Sequence, residues 1–385
     1  MSAPPAATGS FRHHSRRPIA LAVHQSAPRP SMGASVQQVV DAVYQLRVEL
    51  DLPSSSSSGV AEATPSTQVV PPSASIPAMM VFAELFLGGY GSGELLVSEN
   101  QTITPPIGVP MATASSIIFD ANYHGSQWLE PIRQACKDNR VGVVCGYSER
   151  AEITDTVTSS DCDSTTRSLS STATKETGAF KYKYFNAALV IDDNGVVLAS
   201  YRKVHLWGGY EASFFSPADQ LLGGRFPFHG ISCGVLICFD VEFPESTRTL
   251  RLDGAEVVFV PTALVSPFNA RVTVPSRAFE NNFVVCYANE VGQDPHLDHV
   301  NYCGLSVVAL PDGTEGCRAA GLSPPFTTEG VNSSSFAQNG SFGSAARSNK
   351  RLFEYCVIDL DDAAFTAARS RNNYLDARRP DCYAK

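Results

Sequence analysis

Short apolar runs bounded by turn residues alternate with stretches of helical periodicity from Ile19 to Leu360. That alternation confines the chain to a mixed α/β architecture. Residues 19–24 read as a strand. Val36, Val39, Val40, Val43, Leu46 and Leu50 recur near helical spacing, which predicts an amphipathic helix over 36–50. Residues 79–87 read as a strand carrying Glu84, residues 126–139 as a helix and 141–147 as a strand. Two β-rich runs flank Asn194-Gly195, a hairpin signal, and the returning strand ends at Lys203. The run Gly234-Val235-Leu236-Ile237 reads as a buried strand ending at Cys238. Pro244-Glu245 then opens a helix that stops near Gly254, since Pro suits the first helical position and acids its positive end. Further strands are expected at 256–261, 283–289, 304–310 and 353–360, with Asp361 capping a last helix to Arg371.

Three stretches break the alternation. Residues 53–78 hold Ser54 through Ser58 and the Pro71-Pro72 pair, residues 151–178 are crowded with Ser and Thr, and residues 320–348 are rich in Ser, Gly, Asn and Pro. Each has too little apolar surface to offset the entropy of ordering. They read as surface insertions in a single domain over 18–385, behind a disordered tail at 1–17. None resembles another, so no internal repeat is expected.

The net charge of −9 argues against nucleic acid and anionic membrane surfaces as partners. No apolar run approaches the ~18 residues of a membrane span, and no secretory core follows the start. Arg12, Arg16 and Arg17 lie in an acid-free leading segment with a transit-peptide look. Residues 18–23 are needed as the first strand, however. A plain tail and a cytoplasmic location are therefore expected, with a mitochondrial one as the alternative. Ten cysteines with no C-x-x-C pair fit reduced thiols better than a disulfide framework. His296, His299 and Cys303 have metal-like spacing, but Asp294, Pro295 and Asp298 around them suggest a polar loop. No metal and no cofactor is expected. The glycines from Gly88 to Gly93 lack the Lys-Ser/Thr ending of a phosphate-binding loop and read as a glycine-rich active-site loop.

Three residues carry possible chemistry. Cys238 stands at a strand-to-helix turn, where amide donors and a helix terminus favour a thiolate; its other reading is buried core filler. Glu84 interrupts an apolar stretch before a glycine-rich turn, so its carboxylate is either satisfied by a partner or placed for reaction. Lys203 closes the hairpin, either as a solvated strand end or as a functional cation.

With Glu84, Lys203 and Cys238 in that order, the chain resembles the nitrilase superfamily of carbon–nitrogen hydrolases. The segments FAELFLGGY, NAALVIDDNGVVLASYRKVHLWG, GVLICFDVEFPESTR, VVFVPTAL, RAFENNFVVCYANEVG and CGLSVVALPDGTE look like family segments in family order. The closing YLDARRPDCY is similar to the end of an amidase-like branch, and the resemblance spans roughly three quarters of the chain. It implies an αββα sandwich: two sheets face to face with helices outside, often paired into dimers or larger homo-oligomers. It also implies a catalytic triad with Glu84 as general base, Lys203 as charge stabiliser and Cys238 as nucleophile, and it makes Glu211 in GGYEASFF a supporting glutamate. Ala83 departs from the Pro common before the first glutamate.

True nitrile hydrolases of the family usually carry Trp-Glu after the nucleophile; here Phe239-Asp240 looks like the amidase side. Members acting on carboxylate-bearing amides often carry Arg four positions after the nucleophile, where this chain has Glu242. The resemblance therefore implies hydrolysis of a small neutral or cationic amide, with Phe239, Glu242, Tyr90, Trp207 and Ala263 as substrate contacts. Glu242 has a second reading as an acid favouring the next helix N-terminus. Asn186 is expected to fix the hairpin, Tyr210 to wall the pocket, and Arg277 to pair with Glu280 at i,i+3 beside Asn281. A nitrilase or N-carbamoyl amidohydrolase using the same triad is the alternative within enzymes. A catalytically silent scaffold and a thiol redox sensor are the alternatives outside hydrolysis.

Overall fold

The computed structural model describes residues 17–29, 31–51, 76–89, 118–120, 128–152, 182–294, 300–321 and 352–383. Residues 1–16 of the expected tail, most of the three insertions, Tyr90, His296 and His299 lie outside these residues; Arg17, expected in the tail, is instead held by Glu256 and Asp361. In chain order the elements are β1 (Pro18–His24), α1 (Met32–Asp51), β2 (Ala78–Val81), β3 (Ile118–Asp120), α2 (Leu129–Asn139) and β4 (Val141–Glu152). The hairpin of β5 (Tyr182–Ile191) and β6 (Val197–Arg202) follows, then α3 (Gly208–Phe214), β7 (Phe226–Phe228), β8 (Ile231–Val235) and α4 (Pro244–Leu252). The chain continues through β9 (Val257–Thr262), α5 (Val274–Asn281), β10 (Val284–Asn289), β11 (Val291–Gln293) and β12 (Asn301–Cys303). It closes with β13 (Val307–Ala309), β14 (Glu315–Arg318), β15 (Phe353–Asp359) and α6 (Ala363–Arg371).

Two sheets form the middle layers. One has the order β15-β1-β2-β4-β5-β6 with β3 beside β4, and the other the order β14-β13-β10-β9-β8-β7. Alternation along β1 shows how sequence dictates layering. Ile19, Leu21 and Val23 enter the core between the sheets with Val235, Val257 and Phe259. Ala20 and Ala22 face the other way, toward Val36, Val39, Val43 and Leu46 of α1 and Leu129 and Ile132 of α2. The small alanines let the helices approach. Leu250 of α4 and Val274 and Ala278 of α5 join the core from the second sheet, and Leu250 lies against Gly234 of β8. The result is the αββα sandwich.

Strand directions matter most for the site. β2 runs parallel to β4, and β6 is antiparallel to β5, itself antiparallel to β4. β8, β9 and β10 are mutually parallel. The carboxyl ends of β2, β6, β8 and β9 therefore present their following turns, the usual place for a site in such sheets.

Three sequence expectations need correction. The strand expected over 79–87 ends at Val81. The Glu84 amide donates to Thr262 O at 3.3 Å, across to the other sheet, and Leu85 is left-handed at φ 49°, so the chain turns out of the ladder. The strand expected over 304–310 shortens to Val307–Ala309 because Gly304 and Leu305 both have positive φ. Asp362, not Asp361, caps α6, accepting from Ala364 N at 2.7 Å. Asp361 is drawn off to Arg17, whose Nε donates to it at 2.9 Å while Nη2 donates to Glu256 at 2.8 Å.

Candidate active site

The turn after β2 buries Glu84, and the residue after β6 is Lys203, fully enclosed. Lys203 Nζ donates to Glu84 Oε1 at 2.5 Å and to both Glu211 oxygens at 2.8 and 2.9 Å. A buried ammonium between two buried carboxylates is tolerable only because each charge is hydrogen-bonded. Burial alone would lower the Lys203 pKa, but the charges of Glu84, Cys238 and Glu211 outweigh it and hold the group above the ordinary lysine range. Burial, reinforced by Glu84, pushes the Glu211 carboxyl up against the pull of Lys203. Glu211 sits in the first turn of α3 and also accepts from Trp207 N at 2.8 Å.

Cys238 opens a 3-10 turn at Cys238–Glu242, just beyond β8, with a left-handed φ of 44°. A non-glycine residue held there is a strained position of the kind found where a side chain must be aimed. The thiol is buried, and burial and then Glu84 push its pKa well up; Lys203 and the Ala263 N–H hydrogen bond act in the opposite direction. The Ala263 N–H also faces Glu84 Oε2 at 3.2 Å. The structure thus brings Glu84, Lys203, Glu211, Cys238 and the Ala263 amide into one cluster.

Several supports were not apparent from sequence. Asn186, expected to fix the hairpin, donates from Nδ2 to Glu84 Oε1 at 2.8 Å. Asp240, read only as part of a leaving-group signature, is fully buried. It accepts from Tyr201 OH at 2.8 Å, Ile237 N at 3.1 Å and His205 N at 2.8 Å, tying the Lys203 strand end to the Cys238 turn. Asn289 accepts from Leu264 N at 2.8 Å and donates to Leu264 O at 3.0 Å, fixing the loop that carries Ala263. A buried acid two residues past the thiol was the only sequence signal among these.

The expected substrate contacts lie at differing depths. Phe239 is half-buried and meets Phe243 edge-on at 4.9 Å, and Phe243 stacks on His205 at 4.1 Å. Glu242 is half-buried and accepts from Asn269 Nδ2 at 2.7 Å; burial raises its pKa. Trp207 is 54% exposed, and its backbone N–H reaches the cluster through Glu211. Tyr210 packs on a small cluster of Leu85, Tyr184, Phe215 and Tyr302. Arg277 does pair with Glu280, at 2.9 Å, and also donates to the carbonyls of Val241 and Glu242, bracing the turn. Sequence reading missed the buried Glu290, while Asp294, read as part of a polar loop, accepts from Tyr302 OH at 2.7 Å. Burial, then Asp294 and Glu84, push the Glu290 carboxyl well up.

A family model described as carbon-nitrogen hydrolase matches residues 77–322. The chain belongs to this family. A "hydrolase in pqqF 5'region" of Pseudomonas protegens is 36% identical over 205 residues, 52% of this chain and 59% of that protein. An (R)-stereoselective amidase of Pseudomonas sp. is 27% identical over 237 residues, 61% of this chain and 66% of that one. The chain thus spans less than two thirds of the length of these curated relatives. Among solved structures, the amidase of Nesterenkonia sp. AN1, as a double mutant in complex with acrylamide, matches 97% of this chain and 98% of its own. Its TM-score is 0.56 at 20% identity, a likeness of fold. Among the described residues no helix is long and apolar enough to cross a membrane.

Proposed function

We propose that this carbon–nitrogen hydrolase family member is a cysteine-nucleophile amidase that converts a small neutral or cationic amide to a carboxylic acid and ammonia. The observation that carries the reading is the Lys203 ammonium held between the Glu84 and Glu211 carboxylates beside the Cys238 thiol. At rest the sulfur is protonated, so the nucleophile forms only as its proton passes to Glu84. The thiolate attacks the amide carbon, and the negative oxygen is met by Lys203 and a backbone N–H. One such donor is typically worth ~2.7–4 kcal/mol. Glu84 returns the proton to the departing nitrogen, ammonia leaves, and a thioester remains. Glu84 then takes a proton from water as it adds to the thioester, and the acid departs with the thiol restored. The raised Lys203 pKa supports its staying charged throughout.

An acid beside the cluster supports the substrate charge. Glu242, half-buried in the Cys238 turn and within the field of Lys203, stands where a cation would suit a carboxylate-bearing amide, so a neutral or cationic amide is the better match. Among the curated relatives the (R)-stereoselective amidase supports amide chemistry. A nitrilase of Pyrococcus abyssi, 41% identical over 128 residues, 33% of this chain and 46% of that protein, and an N-carbamoylputrescine amidase of Solanum tuberosum, 34% identical over 156 residues, 36% of this chain and 51% of that protein, correspond to the two enzymatic alternatives. The proposal includes a cytoplasmic homo-oligomer. Free thiols at the nine described cysteines and the exposed Val265, Phe268 and Val272 support it, and sedimentation velocity tests the assembly.

The deciding experiment is intact-mass detection of an acyl adduct after mixing the protein with cationic, neutral and anionic amides, nitriles and ureido compounds. An adduct on Cys238 from the first two classes, lost in Cys238→Ala, with ammonia but no carbon dioxide released, is expected. Faster turnover of the anionic amides would overturn the charge assignment, and normal turnover by Lys203→Ala would remove that residue from the mechanism.

A further inference from the structure

Cys317 lies in β14, the outer strand of the second sheet, and Cys356 in β15, the outer strand of the first. β14 and β15 lie side by side where the sandwich edge would otherwise stand open. Both thiols are half-buried and pack on the same core between the sheets. Cys356 Sγ comes within 2.5 Å of where a Cβ on Gly316 would sit, so it is pressed against the backbone next to Cys317. The two thiols are close enough that Cys356, together with burial, raises the Cys317 pKa. The two thiols bracket residues 318–355, which include the Ser-, Gly- and Asn-rich stretch 320–348.

We infer that Cys317 and Cys356 form a reversible disulfide that joins the outer strands of the two sheets and closes the base of the segment between them. This does not depend on the catalytic reading, since neither thiol belongs to the Cys238 cluster. With hydrogen peroxide as oxidant, the sulfur of Cys356 attacks one peroxide oxygen. The O–O bond breaks, a sulfenic acid forms, and the departing hydroxide takes the thiol proton to become water. Cys317 sulfur then attacks the sulfenic sulfur; the S–O bond breaks and a second water leaves with the Cys317 proton. Two thiols are oxidised and one peroxide is reduced to two waters. Cys286 of β10 is fully buried and lies one strand further in, with Val308 of β13 between it and Cys317, beyond the Cα separation a disulfide spans.

The test is peptide mapping of the whole chain with and without peroxide, followed by dithiothreitol. The expected result is a loss of about 2 Da, a cross-linked Cys317–Cys356 peptide, and thiols restored by dithiothreitol. Closing a long loop restrains the unfolded chain, so Tm should rise by several degrees on oxidation. Cys317→Ser and Cys356→Ser should each abolish the cross-link and the Tm rise while keeping basal turnover. Oxidation of both thiols to separate sulfinic acids, a Cys317–Cys286 link, or full alkylation of both after peroxide would overturn the inference.

Discussion

Gly146 in β4 faces the turn that carries Glu84 so closely that a Cβ there would lie 2.5 Å from Ala83 O and 2.8 Å from the Glu84 carbonyl carbon. The Gly146 N–H also donates to Ala83 O at 3.3 Å. A methyl group cannot be admitted without moving the Glu84 turn, and a shift near 1 Å in a reacting group can cost on the order of 100-fold in rate. Gly146→Ala is therefore expected to acylate at Cys238 about 100-fold more slowly with the best amide of the panel, while keeping a native far-UV spectrum. Unchanged acylation would mean the turn is not what aims Glu84. At this scale the reacting side chains were legible in sequence because rare residue types stood in distinctive surroundings: Glu84 amid apolar neighbours, Lys203 at a hairpin end, Cys238 at a strand end. Asn186 and Asp240 were not, because an amide or acid gains its role only from partners that the fold brings from elsewhere in the chain.

At the scale of elements, β1 and α1 are clamped by a buried histidine. His24 ends β1, stacks on Phe82 at 4.6 Å and meets Gln38 Nε2 of α1 at 3.1 Å. Burial, with Arg29 nearby, lowers its pKa from 6.5 to about 3. The unfolded chain then binds a proton that the folded one refuses. The stabilisation is full above pH 6.5 and is lost as pH falls toward 3. Between pH 7 and 5 the wild type should lose about 2 kcal/mol from this group, and His24→Asn should lose that much less. Urea midpoints of both proteins at the two pH values check this, and equal losses would reject it. Most elements were foreseeable from periodicity, since strands and helices here follow their burial patterns. Their ends were not. The early stop of β2 and the shortened β13 follow from left-handed residues at Leu85 and Leu305, conformations that no apolar pattern announces. The cap of α6 moved by one residue because Arg17, distant in sequence, holds Asp361.

For the whole molecule, one core belongs to both sheets. Phe259 is fully buried among Leu21, Val23, Val235 and Val285 of the inter-sheet cluster, so deleting its ring withdraws support from both layers. Phe259→Ala should cost about 3–5 kcal/mol, and far-UV circular dichroism and tryptophan fluorescence should still report one shared transition. Two separated transitions would show that the sheets melt independently. The layered arrangement was expected through family resemblance; the strand order was not, because pairing between distant runs depends on crossovers that local patterns do not encode.

The groups of the candidate site hang from opposite layers. Glu84 and Lys203 descend from one sheet, Cys238 and the Ala263 amide from the other, and the cluster exists only while the two stay in register. Turnover therefore acts as a strain gauge for the sandwich. A sideways creep too slight to disturb helicity or melting would already silence the sulfur, so heat or denaturant should abolish activity before any spectroscopic sign of unfolding.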